Sequence, residues 1–225
     1  MNVANDPSGY CVLEGVLKPG HISPILAELA ELAERDAAAG AWRSQRKLHV
    51  EHLLDAGPTF DRVWFSDRLL AVAAASLGRD FYLLGARYRA PLTDAGEQVL
   101  HVDDPGTPGA IPRLLNVIVP LVPFTALNGA TRVVPGSHVS ETPPTAPEDP
   151  LEPVPGERVL QVGAGSAIFF GGGLWHSGTR NRTGQPRHAL AISYARRGSN
   201  LSTVPHAAEE TLKRLPPGHV AMLHP

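Results

Sequence analysis

The sequence predicts a mainly β fold with flanking helices. Two amphipathic segments with helical spacing lie within residues 22–78, and short runs rich in β-branched and aromatic residues fill residues 80–195. Gly and Pro, 22 of each in the chain, separate many of these runs, as turns do between antiparallel strands. Because strands and helices do not alternate, we expect a double-stranded β-helix, that is, a jelly-roll or cupin-like barrel, with the early helices as its buttress.

The two predicted helices have clear start and stop signals. The first covers residues 24–38, with Ser23 as its N-cap, a proline in its first turn and Gly40 as its stop. The second begins after Ser66 and ends at Gly78. We expect both helices to pack against the sheet.

The strands are placed by short β-rich runs between turn residues. They are predicted near residues 81–90, 97–102, 114–120, 131–134, 158–161, 166–170 and 188–195. The segment from Glu141 to Glu157, rich in proline and acidic residues, is predicted to be a mobile loop at the barrel mouth. A short helix is predicted at residues 207–214.

Length, charge and cysteine content narrow the functional classes. A chain of 225 residues suits one domain, here residues 1–225. A net charge of −2 without a basic stripe argues against nucleic acid as a partner. We expect the chain to be a monomer or a homodimer. Neither a membrane-spanning run nor a signal peptide is found, so a cytoplasmic protein is expected. Since Cys11 is the single cysteine, a metal would have to bind histidine and carboxylate.

One spacing points to such a metal site. His101 and Asp103 are two residues apart, so a strand would present both side chains on one face. His176, 75 residues later, could join them from a facing strand. Two histidines and one carboxylate leave three octahedral positions open, the arrangement of non-haem iron(II) oxygenases. A His-x-Asp pair also occurs by chance, and a histidine beside Trp175 is often structural.

Two further features accompany this triad. Arg187 lies 11 residues after His176 at the start of an apolar run, where its guanidinium could bind a carboxylate inside a barrel. The block from Asn128 to His138 is typical of a turn, a strand and a second turn, which favours a structural role for His138. A surface position for Arg187 is the alternative.

Together these motifs resemble the phytanoyl-CoA dioxygenase family of Fe(II)/2-oxoglutarate oxygenases. The shared pattern is His-x-Asp, an Asn-Gly…Pro-Gly-Ser-His block, and a histidine with an arginine about 11 residues later. The similarity extends from residues 9–13, which resemble the family's first strand, to about Tyr194. Residues 98–104 and 129–135 are most similar to the branch that oxidises terpenoids, alkaloids and other natural products.

The resemblance implies Fe(II), 2-oxoglutarate and O₂ as cofactor and co-substrates. It implies that His101, Asp103 and His176 bind the iron, and that Arg187 binds the distal carboxylate of 2-oxoglutarate. It further implies that Gln98 and Thr131 contact 2-oxoglutarate. Gly178 replaces a hydroxyl residue that assists the arginine in some members, which leaves Ser177 or Thr179 as substitutes.

The expected function is therefore a dioxygenase that hydroxylates, or otherwise oxidises at C–H, a small organic substrate in secondary metabolism. Alternatives are a hydroxylase of an amino acid or acyl thioester, a cupin-like zinc or manganese enzyme without 2-oxoglutarate, and a binding module. The substrate pocket is expected along residues 42–52, 88–97 and the region after Tyr194. His49 and His52 are expected to be a connector or pocket wall, not a metal site.

Overall fold

The computed structural model describes residues 1–38, 47–142, 144–201 and 207–224. Within these ranges the strands are β1 Tyr10–Leu13, β2 Lys47–Val50, β3 Phe81–Pro91, β4 Leu114–Pro120, β5 Thr131–Val133, β6 Arg158–Val159, β7 Ala167–Gly171, β8 His176–Gly178 and β9 Ala189–Arg196. The α-helices are α1 Pro19–Ala38, α2 Pro58–Trp64, α3 Asp67–Leu77, α4 Glu209–Arg214 and α5 Pro217–Ala221.

The strands form two antiparallel sheets. The larger has six strands in the order β1-β7-β4-β9-β3-β2, and the smaller has three in the order β6-β5-β8. Every strand pair within the two sheets is antiparallel. The predicted mainly β architecture with flanking helices is therefore confirmed.

The apolar side chains divide between the two faces of the larger sheet. Leu115, Val117 and Val119 of β4 join one buried cluster with the helices, while Ile118 packs on a second cluster that includes residues of both sheets. This explains why β4 is apolar except at Asn116, because a strand covered on both faces has no solvent side. The helices bury their apolar stripes in the first cluster through Ile25, Leu29, Phe60, Val63, Trp64, Leu69, Val72, Ala73 and Leu77. No described helix has the length and apolarity needed to cross a bilayer.

The first helix begins earlier than predicted. It starts at Pro19, so Ser23 is not its N-cap and Pro24 lies within it. Proline fits the first turn because the amide hydrogens there have no intrahelical partner; Pro19 meets this condition, whereas Pro24 is the sixth residue of the helix. The predicted stop at Gly40 lies outside the described residues. The second helix begins after Ser66 and ends at Gly78 as predicted.

Residues 97–102 do not form the predicted strand. The Gln98 amide donates to the Gly178 carbonyl, and His101 and His176 exchange two backbone hydrogen bonds. Two residues lie between the bonded positions 98 and 101 on this segment, whereas only one lies between positions 176 and 178 on β8. One residue is therefore left over, as in a β-bulge, and a continuous ladder is interrupted. The pairing survives as an isolated bridge between His101 and His176.

Other elements follow the predictions more closely. The terminal helix is present as α4, and the predicted strands at 81–90, 114–120, 131–134, 166–170 and 188–195 correspond to β3, β4, β5, β7 and β9. The strand predicted at 158–161 is reduced to β6. The elements β2, α2, β8 and α5 were not predicted separately, because each is too short to show a clear periodic pattern of apolar residues.

The loop from Glu141 to Glu157 is partly fixed by Arg132. This buried side chain donates to the backbone carbonyls of Pro150 and Glu152, to the Glu157 carboxylate and to the Ser177 hydroxyl, at 2.7–3.0 Å. The second half of the loop is thereby attached to β5. Its role as a mobile cover stays a prediction.

Removing this anchor should destabilise the fold. For Arg132→Met we expect the free energy of unfolding to fall by about 3 kcal/mol, because a buried charge pair loses one partner. Arg158→Met, at an exposed arginine of β6, should change it by less than about 0.5 kcal/mol. Urea denaturation measures both. Equal losses in the two variants would contradict the anchoring role of Arg132.

Candidate metal centre and co-substrate pocket

His101, Asp103 and His176 meet at one point between the two sheets. One donor atom from each of the three side chains lies within 4.8 Å of the other two. The Nε2 atom of His101 is 3.7 Å from Asp103 Oδ1, and that of His176 is 3.5 Å from Asp103 Oδ2. Among the described residues this is the one group of three or more His, Cys, Asp or Glu side chains with such a geometry.

Backbone contacts bring the three residues together. His101 and His176 donate to each other's carbonyl at 3.0 and 2.9 Å, and the amides of Asp103 and Asp104 both donate to the Gly172 carbonyl. A Cβ atom at Gly172 would lie 2.9 Å from Asp104 Cβ. The glycine therefore permits the close approach that places Asp103 beside the histidines.

Both imidazoles present the same nitrogen to the site. Nδ1 of His101 lies 2.8 Å from the Val99 carbonyl, and Nδ1 of His176 lies 2.9 Å from the Leu174 carbonyl. A carbonyl only accepts, so each Nδ1 carries a hydrogen, and Nε2 is the nitrogen that has a lone pair when the ring is neutral. Burial lowers the pKa of His176, which favours the neutral form that binds a metal.

The Asp103 carboxylate is oriented by a polar chain across the larger sheet. The amide nitrogen of Asn116 donates to Asp103 Oδ2 at 2.7 Å, and the Ser193 hydroxyl donates to Asn116 Oδ1 at 3.0 Å. Asn116 and Ser193 are register partners on β4 and β9. The carboxylate thus has a fixed orientation from a rigid part of the sheet.

A cavity of about 80 Å³ adjoins the triad and holds the other predicted site residues. Gln98, Thr131 and Arg187 all line it, so the fold brings together every residue that the motifs predicted. Three of the four β9 residues that line it, Ala189, Ala191 and Ser193, have small side chains, and the fourth is Ile192. These leave room for longer groups from neighbouring strands.

Arg187 is buried in this cavity instead of lying on the surface. Its guanidinium carbon lies 4.5 Å from the centre of the Phe124 ring, and its Nε has no hydrogen-bond partner among the described residues. Burial, with Arg89 nearby, lowers the pKa of Arg187 to about 9, so it remains a cation at neutral pH. A buried cation without a hydrogen-bonded anion is costly, and its position therefore suits an anionic ligand.

The hydroxyls expected to assist Arg187 are engaged elsewhere. Ser177 accepts from Arg132, and Thr179 donates to the Ala130 carbonyl. A Cβ atom at Gly178 would lie 2.7 Å from the Gly96 carbonyl oxygen. Gly178 is thus required for the close passage of the segment that carries Gln98.

The remaining histidines of interest lie apart from this group of three. His138 lies in the 3₁₀ turn Ser137–Val139 that follows Gly136, and it packs against Gly9, in agreement with the predicted structural role. His49 contacts Glu51 on the rim of β2, and His52 lines a separate cavity.

The arrangement fits a metal ion with an anionic chelating ligand. Two neutral imidazoles and one carboxylate are the donor set that suits iron(II), and Arg187 supplies a positive charge in the same cavity. A sequence profile of the phytanoyl-CoA dioxygenase family matches residues 6–189. The chain belongs to this family.

Two curated relatives of this chain are named as dioxygenases. The dioxygenase trt7 of Aspergillus terreus is 28% identical over 201 residues, which cover 82% of this chain and 68% of the relative. The Fe(II)/2-oxoglutarate-dependent dioxygenase nvfF of Aspergillus novofumigatus is 26% identical over 205 residues, 81% of this chain and 66% of the relative. The chain thus spans about two thirds of the length of each.

A solved structure supports the fold. HygX from Streptomyces hygroscopicus, crystallised with nickel and 2-oxoglutarate, matches with a TM-score of 0.68 at 20% identity, covering 85% of this chain and 84% of HygX. The similarity shows that this member of the phytanoyl-CoA dioxygenase family shares the fold of HygX.

Several residues of the site were not identified from sequence. Asn116 stands alone as a polar residue in the apolar run of β4, and a buried polar side chain in such a strand signals a hydrogen-bonded role. Arg87 and Arg89 alternate with apolar residues in β3, a pattern that places both on one face. Phe124 gave no signal, because its contact with Arg187 depends on tertiary structure alone.

The orientation of Asp103 by Asn116 can be tested by metal binding. Asn116→Ala should weaken Mn(II) binding about 10- to 100-fold, because removing the outer partner of a metal ligand has this effect. Ser193→Ala removes only the support of Asn116 and should have a smaller effect. Isothermal titration calorimetry measures both affinities. An unchanged affinity in Asn116→Ala would show that Asp103 needs no orienting partner.

Proposed function

We propose that this chain is an Fe(II)- and 2-oxoglutarate-dependent dioxygenase that oxidises a C–H bond of a small organic molecule. The observation that carries the proposal is the convergence of His101, Asp103 and His176 beside the buried Arg187 in one cavity. The triad would hold the metal, and Arg187 would bind the distal carboxylate of 2-oxoglutarate. Gln98 and Thr131, which line the same cavity, would contact the co-substrate.

The chain's own residues would bind and orient. Iron(II) with 2-oxoglutarate and O₂ supplies an oxidant for C–H bonds and yields succinate and CO₂. Arg187, held over Phe124, would fix the co-substrate through a charge-assisted pair. The backbone carbonyls that accept from the two imidazoles would keep each Nε2 directed at the metal.

The two facing sheets support the finer description as a double-stranded β-helix within one domain. The relatives trt7 and nvfF are fungal dioxygenases, and their likeness favours a substrate from secondary metabolism. The buried Arg187 favours this proposal over a zinc or manganese enzyme without 2-oxoglutarate. In such an enzyme the Arg187 cation would have no co-substrate carboxylate to bind.

Loss of the carboxylate ligand should abolish turnover. Asp103→Ala is expected to remove succinate formation from 2-oxoglutarate while the circular dichroism spectrum is retained, because the side chain is one third exposed and its loss leaves the core intact. Asp67→Ala, at an exposed carboxylate of α3, should retain full activity. Full activity in Asp103→Ala would show that the triad is assigned wrongly.

Loss of Arg187 should act on the co-substrate and not on the metal. We expect Arg187→Ala to weaken 2-oxoglutarate binding more than about 100-fold, since a buried charge pair loses one partner, with little change in Mn(II) affinity. Arg182→Ala, an exposed arginine nearby, is the control. Calorimetry with 2-oxoglutarate in the presence of Mn(II) measures the effect. An unchanged affinity would refute the role of Arg187.

A further inference from the structure

A second cavity shares a wall with the metal centre. It has a volume of about 280 Å³ and extends over β3 and the segment around His52. The side chains of Asp103, Asn116, Ser193 and Arg87 line both this cavity and the smaller one beside Arg187. A molecule in the larger cavity would therefore lie next to the metal ligand Asp103, where the reaction would take place.

The larger cavity has an apolar part beside polar groups, since Glu51, His52, Asp103, Asn116 and Ser193 line it as well as Arg87. Leu54 and Leu114 are buried in its wall, and Leu84 is half-buried there. Gly85 contributes no side chain, which adds space opposite Ser193, its register partner on β9. Against these surfaces stands Arg87, a half-buried side chain with five N–H donors.

Arg87 and Arg89 lie on the same face of β3, and neither guanidinium donates a hydrogen bond to a described residue. Burial lowers the pKa of Arg89 and the neighbouring Arg87 lowers it further, while Glu51 and Asp103 act in the opposite direction. Such a pair persists inside a fold where a ligand supplies negative charge.

The charges of the proposed reaction leave this pair unmatched. A divalent metal and Arg187 are balanced by Asp103 and the two carboxylates of 2-oxoglutarate. Arg87 and Arg89 then face one lining carboxylate, Glu51, whose Oε1 already lies 2.5 Å from His49 Nε2. The filled site would still have an excess of positive charge.

We infer that the substrate carries an oxyanion, a carboxylate or a phosphate, that binds Arg87 while an apolar body fills the larger cavity. Arg89 adds positive potential beside it. A planar guanidinium suits either oxyanion, because it offers two parallel N–H donors. This inference rests on the proposed function, and it narrows the substrate to acidic molecules with an apolar body.

The test uses three small probes that share a benzene ring: benzoate, phenyl phosphate and the neutral benzamide. Saturation-transfer difference NMR on the intact protein measures their dissociation constants. We expect benzoate, phenyl phosphate or both to bind at least about tenfold more tightly than benzamide. The stronger of the two anions identifies the oxyanion as carboxylate or phosphate. Equal binding of all three probes would overturn the inference.

Variants then locate the binding. Arg87→Gln should weaken anion binding at least about tenfold and should weaken 2-oxoglutarate binding by less than this, whereas Arg187→Ala should weaken 2-oxoglutarate binding more than anion binding. Arg87→Lys keeps the charge and should retain part of the anion affinity. Arg62→Gln, at an exposed arginine of α2, should bind like the native protein.

The outcomes separate the two proposals. Anion binding that survives Arg87→Gln and disappears in Arg187→Ala would overturn the present inference and leave the proposed function standing. Native 2-oxoglutarate binding in Arg187→Ala would instead count against the proposed function. If Arg87→Gln does not fold, as judged by circular dichroism, two results together would overturn the inference. The first is that Arg87→Lys binds the anion as tightly as the native protein does. The second is that the native protein binds benzamide as tightly as it binds the anion.

Discussion

His101 and His176 exchange two backbone hydrogen bonds at 3.0 and 2.9 Å, and the geometry of the site depends on this pairing. It fixes the segment before Asp103 against β8, which belongs to the smaller sheet. Because the bonded positions are spaced unequally on the two segments, one residue bulges out and His101 is directed toward His176. Bulges often redirect a side chain beside an active site in this way. The two histidines therefore converge through backbone geometry and need no side-chain contact to do so.

The cavity beside His101 and His176 is lined by small side chains on one strand and by arginine side chains from other segments. The small residues Ala189, Ala191 and Ser193 of β9 line the cavity, and long cationic side chains occupy the room they leave. Arg187 lies over Phe124 without a hydrogen bond at its Nε. Burying a cation in this way reduces stability. Polar groups that are left unpaired in a fold mark sites at which a ligand completes the pairing.

The fold class, the helical buttress and most strands could be predicted from the sequence, because periodicity and turn residues are local signals. The triad could be predicted as well, since its spacing and the accompanying Arg187 form a combined motif. The reason given for the proximity of His101 and Asp103 was wrong, however. The two do not share a regular strand, and a bulge with a glycine turn achieves the same result. Sequence periodicity does not reveal a bulge, because one extra residue leaves no distinct pattern.

The residues that support the site were harder to predict for a different reason. Asn116 and Ser193 act as a pair only because β4 and β9 are aligned at that register, and register is a property of the folded sheet. The same pair lines both cavities, so the orientation of Asp103 and the shape of the larger cavity are set by one region of two central strands. Sites built on strands hold their geometry more precisely than sites built on loops. The shared wall therefore couples the position of Asp103 to the position of any molecule in the larger cavity, without requiring a moving segment between them.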